Sequence, residues 1–88
     1  MINEFNNSKV VKNEGYTLYR KSDDGKPMMI FSSYLGNETI KVMEQFLEVV
    51  RNLPEATDVE VLSNGFKVNM QGRIDHYYIK RKIPKGIA

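Results

Sequence analysis

The chain has 88 residues, of which 41% are hydrophobic and 27% charged, and its formal net charge is +2 at pH 7. These values indicate one globular domain over residues 1–88 with a single core, and they exclude a disordered or fibrous chain. The chain has no cysteine, which excludes disulfides, thiolate zinc sites and thiol catalysis and is typical of a protein from the reducing cytoplasm.

The start of the chain shows no pattern of an export signal. Residues 1–11 lack the basic flank and the apolar run of a secretory signal, and no stretch approaches the roughly 18 apolar residues of a membrane span. A cytoplasmic protein without a membrane contact is therefore expected. The pattern of residues 1–13 is compatible with a short helix, an extra strand or an ordered arm, and it leaves these three alternatives open.

Two strands are predicted over residues 16–21 and 28–33, joined by a turn at Asp23-Asp24-Gly25. Pro27 indicates that the second strand begins at the edge of a sheet, because proline cannot donate a ladder hydrogen bond. Apolar residues fall on both faces of this pair, with Leu18 and Phe31 on one face and Tyr19 and Ile30 on the other. Either both faces are covered, or the register is displaced by one residue.

From residue 37 to residue 53 the apolar period changes from two to 3.6, which predicts one amphipathic helix. Asn37 is the predicted N-cap, Glu38 complements the positive end of the helix dipole, and Pro54 marks the stop. The apolar face comprises Ile40, Val42, Met43, Phe46, Leu47, Val49, Val50 and Leu53. Because this face is wider than the roughly 100° stripe that one sheet contact needs, part of it is expected to meet the N-terminal segment or a second copy in a homodimer.

A β-hairpin is predicted at Asn64-Gly65, because this dipeptide favours the two positive φ angles of a type I′ turn. With these two residues as the loop, Ser63 lies opposite Phe66 and Val61 opposite Val68. One face of the pair then collects the apolar residues Val59, Val61, Phe66, Val68 and Met70. The other face is mostly polar, as a half-buried strand pair requires.

A second turn is predicted at Gly72-Arg73, with glycine in the first loop position. It places Val68 opposite Tyr77 and extends the sheet to a third strand over residues 74–82. The predicted element order is thus ββαβββ. This order describes the α+β class, with an antiparallel five-stranded sheet and one amphipathic helix packed on one of its faces.

Charge is distributed unevenly along the chain. Residues 1–64 hold seven Lys or Arg against ten Asp or Glu, whereas residues 65–88 hold six against one. Ammonium and guanidinium groups displace the counterions of phosphates, and aromatic rings offer faces for bases. The predicted nucleic-acid-binding residues are Lys67, Asn69, Arg73, His76, Tyr78, Lys80, Lys82 and Lys85, the last of them in a basic flexible tail over residues 84–88.

These side chains have different expected roles. Lys67, Lys80, Lys82 and Lys85 would contact phosphates, Tyr78 and His76 would stack on bases, and Asn69 would bond base edges. A sheet face with exposed aromatic rings suits single-stranded RNA or DNA better than a duplex, and RNA is favoured. An alternative is that residues 80–82 are only the solvated end of a strand, where lysines protect against edge-to-edge aggregation.

No motif in the chain names a reaction, so a non-enzymatic protein without metal or cofactor is expected. His76 is the only imidazole in the chain, and imidazole is the commonest group in proton transfer. Its neighbour Asp75 would point to the opposite face of the strand. Ordinary strand geometry therefore excludes an Asp-His dyad at this position.

A second function fits the same predicted face. Leu62, Ile74 and Tyr78 would form an apolar centre, rimmed by Lys67 and Lys80, and such a centre with a polar rim is typical of protein interfaces. The alternative hypothesis is therefore a protein-protein interaction module. It would act as a small inhibitor or antitoxin-like partner of another enzyme, such as one that processes nucleic acid.

Overall fold

The computed structural model describes residues 15–82. Its elements, in chain order, are β1 (Tyr16–Ser22), β2 (Met28–Ser33), α1 (Gly36–Arg51), β3 (Ala56–Leu62), β4 (Gly65–Met70) and β5 (Arg73–Arg81). The strands form a five-stranded antiparallel sheet in the order β2-β1-β5-β4-β3. The α+β class and the ββαβββ order predicted from the sequence are confirmed. The predictions for residues 1–13 and 84–88 lie outside the described residues.

The core lies between α1 and one face of the sheet, here called the helix face. Its buried apolar side chains are Tyr16, Leu18, Ile40, Met43, Leu47, Val50, Phe66, Val68, Tyr77 and Ile79. Phe66 on β4 is fully buried and stacks on Tyr77 of β5, with 4.7 Å between the ring centroids. Because strand side chains alternate between faces, the residues between these positions point away from α1, onto the outer face.

The helix begins earlier than the sequence pattern predicts and buries a narrower stripe. Its N-cap is Leu35, without a side-chain cap hydrogen bond, so the prediction of Asn37 as N-cap is wrong. The cause is Thr39, which is fully buried and donates its hydroxyl to the backbone oxygen of Tyr16 at 3.0 Å. This contact holds the first helical turn against β1. Val49, predicted on the apolar face, is 59% exposed.

The turn between β3 and β4 lies at Ser63-Asn64, so its prediction at Asn64-Gly65 is wrong by one residue. Leu62 pairs with Gly65, and Val61 pairs with Phe66 instead of Val68. Neither the turn residues nor Gly65 have a positive φ angle. The Asn-Gly dipeptide therefore does not form the type I′ turn that it favours in isolation.

Glycine is required at position 65 for a different reason, which is the close approach of β5. A Cβ atom at this position would collide with the carbonyl oxygen of Tyr77 and lie 2.7 Å from the Cα of Tyr78. The missing side chain lets the two strands pair up to the turn, where the Ile79 N–H donates to the Asn64 carbonyl oxygen at 2.9 Å. Glycine is required here by sterics and not by its backbone angles.

The turn between β4 and β5 lies at Gln71-Gly72 instead of Gly72-Arg73. Its two residues have φ angles of 55° and 92°, the positive pair that a type I′ turn requires. Val68 consequently pairs with Asp75 and not with Tyr77. Next to both turns the true register differs from the predicted one by two residues. An even shift leaves the side chains of β4, β5 and residues 60–62 on their predicted faces, whereas the bulge between Thr57 and Glu60 adds one residue and changes the face of the first residues of β3.

The pairing of β1 with β2 contains a register shift that explains its mixed apolar pattern. Leu18 pairs with Phe31, but Tyr19 pairs with Met29, so Ile30 is an extra residue in β2. Of the two alternatives left by the sequence, displacement by one residue is therefore the correct one, and it begins within the hairpin. β2 lies at one edge of the sheet, as predicted, and β3 lies at the other.

Candidate nucleic-acid interface

Strand β5 carries the centre of the candidate site, because it lies in the middle of the sheet between β1 and β4. Tyr77 and Ile79 point into the core and are buried. Alternation then sends His76, Tyr78 and Lys80 to the outer face. His76 and Tyr78 are half-buried there and Lys80 is exposed. The structure thus brings three of the predicted site residues together on the outer face of one central strand.

Three rings form an aromatic cluster on the outer face: Tyr19, His76 and Tyr78. Tyr78 stacks on Tyr19, its register partner on β1, with 5.6 Å between the centroids and 24° between the planes. The His76 ring lies 4.7 Å from that of Tyr78 at a tilt of 41°. On the other side Tyr78 faces Gly65, which has no side chain. The cluster therefore occupies the middle of the sheet without a neighbouring side chain from β4 opposite Tyr78.

Exposed lysines lie on both sides of the aromatic cluster. His76 pairs with Lys67 on β4 and with Lys21 on β1, and both lysines are exposed. Lys80, further along β5, is paired with Thr17. Glu60 of β3 lies opposite Lys67 and brings a negative charge to the β3 side of the face. The exposed lysines of the outer face thus lie on the three central strands, β1, β5 and β4.

Tyr19 and Lys21 are site residues that sequence reasoning missed. Both alternate onto the outer face of β1, and each lies beside a predicted site residue of β5, Tyr78 and His76 respectively. A local pattern does not reveal that β1 pairs with β5, because more than fifty residues separate the two strands in the chain. The alternation of Tyr19 and Lys21 along β1 was the available signal, but it had no known partner strand.

The surroundings of His76 favour its neutral form. Burial lowers the pKa of the imidazole below its usual value of 6.5, and the charges of Lys67 and Lys21 lower it further. Its Nε2 atom is buried and has no hydrogen-bond partner among residues 15–82. A ring that is neutral near pH 7 contributes a stacking face to the cluster without adding a further positive charge.

Two predicted residues are on this side of the sheet but already have partners. The ammonium group of Lys82 donates to Ser32 Oγ at 2.8 Å and lies 4.3 Å from the ring centroid of Tyr34. Asn69 uses its Oδ1 atom to accept the Gly72 N–H at 2.7 Å, within the β4–β5 turn. Lys82 is therefore placed at the β1–β2 end of the face, and the Asn69 carbonyl oxygen stabilises a turn.

Arg73 does not belong to the outer face, although it was predicted as a site residue. It is the first residue of β5 and lies on the helix face, where its Nε and Nη2 atoms donate to Asp75 at 3.0 and 3.1 Å. Ser22 donates to the same carboxylate at 2.7 Å. The sequence predicts Arg73 in the loop between two strands, where alternation assigns no face to its side chain. Lys85 lies outside the described residues.

The Asp75 carboxylate is buried, and its charge is stabilised by its partners. Burial raises its pKa, but the hydrogen bonds from Arg73 and Ser22 outweigh burial, so the pKa lies below the usual value of 3.8. Asp75 and His76 point to opposite faces of the sheet, as alternation predicted. Within residues 15–82, no three His, Asp or Glu side chains are grouped to hold a metal ion, and no helix is long and apolar enough to cross a membrane.

The apolar centre expected for a protein interface is divided on the outer face. Leu62 lies opposite Gly65, in the row that contains Tyr78. Ile74, 40% exposed, lies four residues from Tyr78 along β5, and His76 stands between them. The row that separates Leu62 from Ile74 carries two lysines and an imidazole, so the apolar residues do not form one contiguous patch.

The outer face can therefore stack flat rings in its middle and contact anions at its sides. These are the two interactions that single-stranded nucleic acids use with proteins. Comparison of the chain with protein-family models, with curated proteins and with solved structures found no match.

Proposed function

We propose that this chain is a small non-enzymatic protein of the cytoplasm that binds single-stranded nucleic acid, with RNA preferred over DNA. The observation that carries the proposal is the aromatic cluster of Tyr19, His76 and Tyr78 in the centre of the outer face, with exposed lysines on the flanking strands. Bases would stack on the rings, and the lysines would neutralise the phosphates.

The position of the cluster on the surface of a sheet favours single strands over a duplex. Rings on a sheet can reach base faces only when the bases are unstacked from each other. The one helix offers no alternative, because its inner side is buried and its exposed side has no net positive charge, with two acidic and two basic residues: Glu38, Glu48, Lys41 and Arg51. A helix that enters a major groove needs basic residues on its exposed side. RNA is preferred because sequence-specific RNA-binding domains mostly act on unstacked single-stranded segments.

The dimensions of the face match a short segment of nucleic acid. Residues two apart on a strand are about 7 Å apart along it, so His76, Tyr78 and Lys80 span about 13 Å of β5. Sheet surfaces of this kind stack about two or three bases. The expected core footprint is therefore a few nucleotides, with Lys21, Lys67 and Lys80 at its sides.

Fluorescence anisotropy with a labelled single-stranded RNA of about 12 nucleotides tests the proposal. With three phosphate contacts, log affinity should fall with log salt at a slope of about −2, because each contact on a single strand contributes about 0.7. Lys67→Gln should weaken binding and reduce the slope by about 0.7. Tyr78→Leu should weaken binding by about 1 to 3 kcal/mol and leave the slope unchanged.

Lys41→Gln is the matched control, because Lys41 is an exposed lysine on α1. It removes the same charge from the whole protein but none from the outer face. If Lys67→Gln and Lys41→Gln weaken binding equally, or if the wild type binds duplex and single strand alike, the outer face is not the binding site.

The protein-interaction module remains the second candidate, and the exposure of Ile74 on the outer face is the observation that favours it. An inhibitor or antitoxin-like partner would bury this residue together with Tyr78. Binding through an apolar centre loses little affinity in high salt. A partner retained at high salt and lost in Ile74→Asp, but retained in Lys67→Gln, would support this candidate against nucleic-acid binding.

A further inference from the structure

The two edges of the sheet differ in their protection against strand pairing. Edge strand β3 carries Asp58 and Glu60 and has a bulge in which Asp58 adopts a φ angle of 50°. Charges and bulges of this kind prevent an edge from pairing with another strand. Edge strand β2 has the sequence MMIFSS, with no charged side chain. β2 also has a bulge, in its pairing with β1, and Pro27 precedes its first residue. The two edge strands therefore differ in charge and not in the presence of a bulge.

Both ends of β2 expose large apolar side chains. At its start Met28 is 56% exposed and Met29 is 64% exposed, and just beyond its end Tyr34 is 65% and Leu35 57% exposed. These four account for most of the large hydrophobic residues that are exposed within residues 15–82. Apolar residues concentrated along one edge that carries no charge within residues 28–35 indicate an interaction surface.

We propose that β2 pairs antiparallel with β2 of a second copy of this chain, across a twofold axis, so that the two sheets become one. The occupant is a second copy because antiparallel self-pairing brings the start of one strand beside the end of the other. Met28 and Met29 of one protomer then lie beside Tyr34 and Leu35 of its partner, so a single operation covers all four exposed residues. A twofold interface of this kind is self-complementary.

Charge distinguishes β2 from β3 as the self-pairing edge. An uncharged strand meets no like charge when it pairs with its own copy. The same operation on β3 would bring Asp58 and Glu60 towards the same residues of the partner, and like charges on neighbouring strands destabilise a sheet. The twofold axis of an antiparallel strand pair is perpendicular to the sheet, so both outer faces lie on one side of the joined sheet and both helices on the other.

This pairing does not depend on nucleic-acid binding, and sedimentation equilibrium of the full chain tests it directly. The wild type should dimerise in a concentration-dependent manner. Met29→Lys should raise the dimer dissociation constant at least about tenfold, because a twofold interface carries each substitution twice and edge lysines oppose pairing. Val49→Lys is the matched control, since Val49 is 59% exposed but lies on α1. It should leave the dissociation constant unchanged.

Both residues are exposed, so both variants should fold, and circular dichroism checks that they do. A wild type that stays monomeric at concentrations of several hundred micromolar overturns the proposal. A dimer that Val49→Lys dissociates and Met29→Lys leaves intact also overturns it, because that result places the interface on the helix.

A cysteine scan provides a second, position-specific measurement, and the chain has no cysteine of its own. Single cysteines at each position from Met28 to Ser33 should form an intermolecular disulfide on mild oxidation, with the highest yield at one position or two adjacent ones. These positions mark the twofold axis, where paired Cα atoms are about 4.5 to 5.5 Å apart, within reach of a disulfide. Val49→Cys should cross-link weakly. A flat profile along β2, or a maximum at Val49→Cys, contradicts the proposed pairing.

Discussion

The two glycines near the β4 turns should respond to the same substitution with losses of stability of very different size. Gly65 lies within β4, where a Cβ would collide with the Tyr77 carbonyl oxygen and lie 2.7 Å from the Cα of Tyr78. Both obstacles are backbone atoms of the adjacent strand, so no side-chain rotation relieves the contact. Gly72 has a φ angle of 92°, and a Cβ there would meet no atom within 4 Å. The substitutions tolerated at Gly65 are thus limited by space, and those tolerated at Gly72 are limited by backbone conformation.

Substitution by asparagine distinguishes these two limits, because asparagine has a side chain but is among the residues that best tolerate a positive φ. Gly72→Asn should therefore lower the free energy of unfolding by only about 1 kcal/mol. Gly65→Asn must push β4 away from β5 in the middle of the sheet. Overpacking typically costs about 1 to 3 kcal/mol, and the cost here should be about 3 kcal/mol because both obstacles are backbone atoms. For a small domain with a stability of about 5 to 10 kcal/mol, this is a large fraction of the total.

Urea denaturation followed by circular dichroism measures both changes on one scale. Gly65→Asn should shift the midpoint to much lower urea than Gly72→Asn does. If the Asn-Gly dipeptide instead formed a type I′ turn, Gly65 would have a positive φ, and Gly65→Asn would be nearly neutral. A loss below about 0.5 kcal/mol for Gly65→Asn would therefore refute the close approach of β5 at this position.

Three further predictions concern buried and clustered side chains. Asp75→Asn should lower the free energy of unfolding by about 1 to 3 kcal/mol at pH 7, because it weakens hydrogen bonds to a buried carboxylate. Since folding lowers the Asp75 pKa, the stabilisation by this carboxylate is present above pH 3.8 and is lost as pH falls through the folded pKa. The urea midpoints of variant and wild type should therefore converge in acid, and a constant difference between them would contradict this. RNA affinity should rise as pH falls through the titration of His76, by at most a factor of about ten per pH unit, because phosphates beside Lys21 and Lys67 offset the charges that lower the imidazole pKa. His76→Gln should flatten the dependence of affinity on pH, as measured by anisotropy. An unchanged pH dependence in this variant would exclude the His76 imidazole as its cause. Tyr19→Leu should weaken RNA binding as much as Tyr78→Leu, by about 1 to 3 kcal/mol, because the two rings stack; full affinity in Tyr19→Leu would remove β1 from the site.

Much of the fold follows from local patterns in the sequence, and the errors have local causes. Alternation along residues 66–79 assigns Phe66 and Tyr77 to the core and Lys67 and Tyr78 to the outer face. This assignment tolerates the misplaced turns, because each displaces the pairing by two residues. The turns themselves were misplaced because glycine serves both close approach and positive φ, and the sequence does not distinguish these two uses.

The parts of the site that sequence reasoning missed depend on contacts between distant segments. Tyr19 and Lys21 join the aromatic cluster only because β1 pairs with β5, and no local pattern specifies that order of strands. The early start of α1 has the same origin, since Thr39 is buried by its hydrogen bond to Tyr16 on β1. Charge alone predicts Arg73 as a site residue, whereas its bonds to Asp75 depend on which face of β5 it occupies.

Chemical shift mapping by NMR tests the central claim most directly, because it locates the ligand on the protein without any substitution. Titration with a short single-stranded RNA should shift the ring signals of Tyr19, His76 and Tyr78 and the amides around Lys67 on the outer face. Exposed positions of α1, such as Lys41 and Val49, should show no change. Shifts concentrated on α1, or no shifts at RNA concentrations that saturate the anisotropy signal, would contradict the assignment of the outer face as a nucleic-acid-binding surface.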